Sequence, residues 1–254
     1  MTGARDRAAD LWWAARDDLG RRFRAAARPR RRPPHDLGID ELVSPLRYDI
    51  VIRMAFFRFV RANRELAHTD PRAFTELALG HPYAAWFEEI VVPRLGSRAA
   101  TRASRVEAFH RRVRRTVRLD ERFSHRGFDA RHPVSVRYVE HLTTDGGKTL
   151  RGRFYPVDGC HRLALLSLQG LSVLPRAFYR IVEVDGPPPD NTRALLRRVP
   201  VSESDYAGFV GRGYGLTAAD LTDLLARAQG LGDPKAAEIA QLVAIDAPLL
   251  AAHS

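Results

Sequence analysis

Apolar residues in the first half of the chain recur at helical spacing. Leu11, Ala15, Leu19 and Phe23 stand four apart, with Trp12 and Ala26 beside them, which predicts an amphipathic helix over residues 4–27. Pro29, Pro33 and Pro34 end it. The same period continues over residues 39–43, 48–60, 71–79 and 83–92. Asp70 followed by Pro71 marks a helix start, an N-cap with proline at the first helical position. Arg53, Arg58, Arg61 and Arg64 interrupt the second of these segments, so it reads as a core helix and not as a membrane span. Over residues 105–119, Val106, Phe109, Val113 and Val117 share one face, while Arg111, Arg112, Arg114, Arg115 and Arg118 lie elsewhere.

Near residue 120 the period changes. Residues 133–139 alternate and are rich in β-branched side chains, which predicts a strand. Thr144-Asp-Gly-Gly-Lys148 reads as a hairpin turn, residues 152–157 as a second strand, 161–168 as a helix and 174–184 as a third strand. Gly186-Pro-Pro-Pro189 reads as a linker. Beyond it, Ser202 with Asp205 and Thr217 with Asp220 resemble capping boxes that open helices over 202–212 and 217–229. The expected class is α+β, a small mixed sheet with helices, flanked by N-terminal and C-terminal helical regions. Four parts follow: a basic helix and Pro/Arg linker over 1–34, a helical subdomain over 35–119, the mixed unit over 120–186 and a helical region over 187–254.

Composition narrows the picture. With 254 residues and 45% hydrophobic content, the chain can bury a substantial core. No apolar run approaches the roughly 18–20 residues that cross a bilayer, and Arg5, Asp6, Arg7 and Asp10 interrupt any leader-like segment, so a cytoplasmic protein is expected. The single cysteine, Cys160, excludes an internal disulfide and a thiolate-rich zinc site. A net charge of +11 suggests an anionic partner, yet lysine fills only two of the 41 basic positions, Lys148 and Lys235. That arginine bias weakens the charge argument, and a nucleic-acid partner is not favoured. The first 34 residues carry ten basic and four acidic side chains. Asp17 and Asp18 within that stretch favour docking on the protein itself or on a homodimer mate over peripheral contact with an anionic membrane.

The chemistry concentrates in Val157-Asp-Gly-Cys-His-Arg162, where a strand is expected to end and a helix to begin. The first N–H groups of such a helix lack internal acceptors and carry partial positive charge, which suits an anion. Gly159 permits a close backbone turn, Arg162 can fork onto phosphate oxygens, and His161 can donate to them or move a proton. A carboxylate at Asp158 fits beside a phosphate only by holding a metal, taking a proton from an attacking hydroxyl or bridging to Arg162. The plainer alternative is that Asp158 caps the helix and that His161 and Arg162 lie on the surface. Gly211-Arg-Gly-Tyr-Gly215 has no strand before it and is not read as a dinucleotide loop, and His125, His132 and His141 lack metal-ligand spacing.

Pro133-Val-Ser-Val, the hairpin, Tyr155-Pro-Val-Asp-Gly-Cys-His-Arg-Leu-Ala-Leu-Leu166, Gly170 and Leu174-Pro-Arg-Ala-Phe-Tyr-Arg-Ile-Val182 follow one another in an order that resembles the ParB/sulfiredoxin superfamily. Roughly residues 120–185 carry the resemblance. Asp158 to Arg162 matches the Asp-Gly-x-His-Arg of its free-serine kinases. Sulfiredoxins instead carry Gly-Gly-Cys-His-Arg, and chromosome-partitioning ParB proteins usually carry Gly-Glu-Arg-Arg with a following helix-turn-helix. The resemblance implies a phosphotransferase that uses ATP or ADP with magnesium and acts on the hydroxyl of a small metabolite such as a free amino acid. Gly159, Cys160, His161 and Arg162 would hold the nucleotide, with Arg126 as a further phosphate ligand. Asp158 would act at the metal or at the acceptor hydroxyl, and Glu121, with Asp120 as its neighbour, would be the base. Two alternatives stay open: sulfiredoxin-like ATP-dependent chemistry at Cys160, and a noncatalytic ParB-like nucleotide-gated adaptor that binds DNA or a membrane.

Overall fold

The computed structural model describes residues 35–144, 147–231 and 234–251. The helix expected over 4–27 and its linker lie outside the described residues, as do Asp145 and Gly146 of the expected hairpin turn.

The chain enters through β1 (Leu37–Gly38) and α1 (Ile39–Val43), then runs through α2 (Tyr48–Ala62), α3 (Arg64–Thr69), α4 (Pro71–Ala78) and α5 (Pro82–Trp86). Asp70 caps α4 as expected, accepting from the N–H groups of Arg72 and Ala73. The helix expected over 83–92 is broken: after α5 the backbone widens into a π turn at Phe87–Val91, and Pro93 sits in the short α6 (Val92–Leu95) that follows. The basic helix α7 (Arg102–Arg126) runs seven residues past the boundary placed at 119, stopping only at Gly127, whose φ of 66° ends helical geometry.

A three-stranded sheet follows, in the order β3-β2-β5. The hairpin strands β2 (Val134–Thr143) and β3 (Thr149–Asp158) are antiparallel, and α8 (Cys160–Leu168) leaves the end of β3. The single third strand expected over 174–184 is split into β4 (Val173–Leu174), a 3-10 turn at Arg176–Phe178 and β5 (Tyr179–Ile181). Pro175 stands at the break, and proline cannot donate to a ladder. The first piece pairs with β1 and the second joins β2 in parallel, so the start of the described N-terminal half is tied to this unit through β1. The linker region gives way to α9 (Asn191–Leu196), which the apolar pattern did not announce. Next come α10 (Glu203–Arg212) and α11 (Ala218–Leu231), with Ser202 and Thr217 capping as expected, and then α12 (Pro234–Ala251). The architecture is mixed α+β.

Two hydrophobic clusters form the interior, and α2 belongs to both. Ile50, Met54 and Phe57 face the sheet, α8 and the C-terminal helices, whereas Ile52, Phe56 and Val60 face α4, α5 and α7. A helix buried on both sides cannot place charge freely, which makes the burial of Arg53 and Asp49 within it significant. Lys148 and Asp190 are likewise buried as a pair at 3.1 Å, tying the hairpin to the start of α9. Among the described residues, no helix is long and apolar enough to cross a membrane.

Candidate functional site

Where β3 meets α8, Gly159 adopts φ 86°, and a Cβ there would stand 3.0 Å from both the Val134 Cα and the Arg162 Nη2. Only glycine fits this turn without strain. Asp158 Oδ1 accepts from the Gly159 N–H at 2.7 Å, and its Oδ2 lies 3.9 Å from Arg162 Nη2, the bridging role among those anticipated. Its side chain is about half exposed.

Above the first turn of α8 opens a cavity of about 320 Å³. It is walled by Arg47, Arg53, Arg94, Arg112 and Arg162, and Asp158 is the one carboxylate in its lining among the described residues. A helix N-terminus and five guanidinia around one carboxylate make a strongly anion-attracting space.

The arginines are held from behind. Asp49, fully buried, receives Arg47 Nε at 2.7 Å and Nη2 at 2.9 Å, and it also receives Arg53 Nη1. Burial alone would raise the Asp49 carboxyl, but Arg47 and Arg53 hold it well below the usual carboxylate range. Burial likewise opposes the Arg47 charge, and Asp49 more than restores it. Asp49 thus anchors two cations that have little water. Arg53 lies 4.2 Å from the Trp86 ring and Arg112 lies 5.2 Å from it. Arg53 Nε and Trp86 Nε1 are buried with no hydrogen-bond partner among the described residues. Such donors are costly unless something accepts from them.

His161 lines the same cavity but is anchored inward. Its Nε2 is 2.8 Å from Tyr83 Oη, which is in turn 3.0 Å from Thr116 Oγ1. Phe57, Tyr83 and Trp86 present edges to its ring. Burial first, then the Arg53 and Arg112 guanidinia, push its protonation well below the ordinary histidine range. At neutral pH it is therefore an uncharged group, able to share or pass a proton. Cys160 accepts from Arg47 Nη2 at 2.8 Å and is partly buried.

Glu121 and Arg126 stand outside the cavity lining. Because α7 continues through them, neither lies on the expected loop; Glu121 faces His68 Nε2 at 3.2 Å and Arg126 is exposed in the last turn. Asp120 is taken up by Arg61 at 2.8 Å. An unbroken helix turns Asp120 and Glu121 toward α2 and α3, away from the β3–α8 turn. Sequence reasoning missed Arg47, Arg94, Arg112 and Trp86 as members of the site. The one available signal was Arg47, Asp49 and Arg53 inside an otherwise apolar segment, a charge triplet that burial forces to act together.

The donor set fits a phosphate chain, since the Arg47, Arg53, Arg94, Arg112 and Arg162 side chains and the start of α8 line one cavity. Magnesium is commonly held by one or two carboxylates plus substrate phosphates, and Asp158 is the lining group that could supply one. No cluster of three metal-ligating side chains occurs among the described residues. Comparisons with protein-family models, with curated proteins and with solved structures return no match.

Proposed function

We propose that the protein is a nucleotide-dependent phosphotransferase of the ParB/sulfiredoxin-like type, using ATP or ADP and passing a phosphoryl group to the hydroxyl of a small metabolite such as a free amino acid. The observation that carries this reading is the cavity at the start of α8, with its five arginines and its single carboxylate. Phosphoryl transfer needs little covalent help from a protein; it needs positioning and neutralisation of charge on the phosphate oxygens. Arg53, Arg112 and Arg162 neutralise that charge, and the N–H groups at the start of α8 orient it. Asp158 would hold magnesium if the nucleotide brings it, and the ion would supply further positive charge to the phosphates. In its other role Asp158 takes the hydroxyl proton as the acceptor oxygen bonds to phosphorus and the bond from phosphorus to the departing nucleoside phosphate breaks.

Titration calorimetry of the whole chain with ATP and ADP, with and without magnesium, tests the reading directly. Binding is expected, and Arg162→Ala weakens it by about tenfold or more, because a charge-assisted hydrogen bond contributes about 1.5–3 kcal/mol. Asp158→Asn separates its two roles: loss of turnover with unchanged nucleotide affinity identifies a base, and loss of the magnesium-dependent part of binding identifies a metal ligand. Absence of any nucleotide binding would sink the proposal.

One contact favours a second reading, sulfiredoxin-like chemistry at sulfur. The Arg47 guanidinium donates to Cys160 Sγ at 2.8 Å, which holds the sulfur in the lining of the arginine cavity. Full activity in Cys160→Ser excludes that reading and leaves the first untouched.

A further inference from the structure

A second hollow, of about 900 Å³, lies along the β2–β5 side of the sheet, and none of its lining residues belongs to the arginine cavity. Its size is within the range of small-molecule sites. Val139, Leu142, Phe154, Ile181 and Val184 make its walls predominantly apolar. Arg137 also lines it, and that side chain is only 7% exposed.

Arg137 is held by carbonyls and by the Tyr155 ring, whose centroid lies 5.8 Å from its guanidinium carbon. Its Nη1 donates to the Val184 oxygen at 2.8 Å and to the Gly186 oxygen at 2.7 Å, and its Nε is buried without a partner. No carboxylate pairs with it among the described residues. The contrast within this protein is direct: Arg47, Arg53 and Lys148 are buried too, and each has an aspartate. Buried cations are normally paired, because carbonyl dipoles do not cancel a whole charge. Burial accordingly pulls Arg137 below the ordinary arginine range, against a smaller opposing effect of Tyr155.

We propose that this hollow binds a small apolar carboxylic acid, with its carboxylate on Arg137 and its hydrocarbon or aromatic body against Val139, Leu142, Phe154 and Val184. Affinity comes from burying the body, and selectivity comes from the one unpaired cation. The site is independent of nucleotide binding, so either proposal can fail alone.

Calorimetric titration of the whole chain with decanoate, decanol and acetate provides the test. Decanoate shares its body with decanol and its head group with acetate. Decanoate is expected to bind about tenfold or more tightly than decanol, and acetate not measurably. Arg137→Gln should remove that preference while leaving decanol binding where it was. Should Arg137→Gln fail to fold, Val184→Asp serves instead: the Val184 side chain is 47% exposed, and a carboxylate there should weaken decanoate by about tenfold. The proposal is overturned if decanoate does not bind, if it binds no better than decanol, or if neither variant changes its affinity.

Discussion

At the scale of single residues, Gly159 and His161 carry the sharpest consequences. Gly159→Ala puts a Cβ against the Val134 backbone in a left-handed conformation, and chemical denaturation should show a loss of about 1–3 kcal/mol. The same variant should weaken phosphate binding, since Arg162 must move. His161 is depressed below its unfolded value of about 6.5, so the unfolded chain takes up this proton first as pH falls. Stability from this group is therefore fully present above about pH 7 and declines progressively below about 6.5. Unfolding free energies measured between pH 8 and pH 5 should show that decline, and His161→Gln should show a shallower one. Some slope will remain, because burial also depresses His81 and His110. A flat profile in the unaltered protein would contradict the buried, neutral imidazole.

At the scale of elements, starts proved more legible than continuity. Asp70, Ser202 and Thr217 each cap the helix expected of them, because a side-chain oxygen that satisfies exposed N–H groups is a local interaction. Asp70→Ala should cost about 1 kcal/mol, readable as a shifted urea midpoint with an unchanged slope. Continuity depends on distant partners. α7 runs on through Glu121 to Arg126 because Phe123 finds a place in the core shared with the sheet, and no local signal marks that contact. The third strand is divided at Pro175 because its two pieces pair with different strands, β1 and β2. Pro175 marks the break in the local sequence, and the separate pairing partners fix it.

At the scale of the whole molecule, the arginine cavity is a joint product of the helical half and the mixed unit. Arg47, Arg53, Trp86 and Arg112 come from α2, α5, α7 and the segment before α2, while Gly159, Cys160 and Arg162 come from the turn and helix after β3. An anion that bridges them stabilises the folded protein by mass action. Inorganic phosphate should therefore raise the melting temperature at low ionic strength, sodium chloride at high concentration should suppress the effect, and Arg162→Ala should reduce it. An unchanged melting temperature across phosphate concentrations would argue against the cavity as an anion site.

The α+β class, the hairpin, the glycine turn and the helix that leaves it were legible in the chain itself, because alternation, helical period, caps and glycine express interactions between near neighbours. The choice of Asp158, Gly159 and Arg162 came from the same local logic, and all three line the cavity. The inward contact of His161, the position of Glu121 and Arg126 outside the cavity lining and the presence there of Arg47, Arg94, Arg112 and Trp86 follow from packing alone. Each depends on which face of a helix meets another element, and α2 meets one on both sides. Charge in a sequence has no direction until burial assigns one.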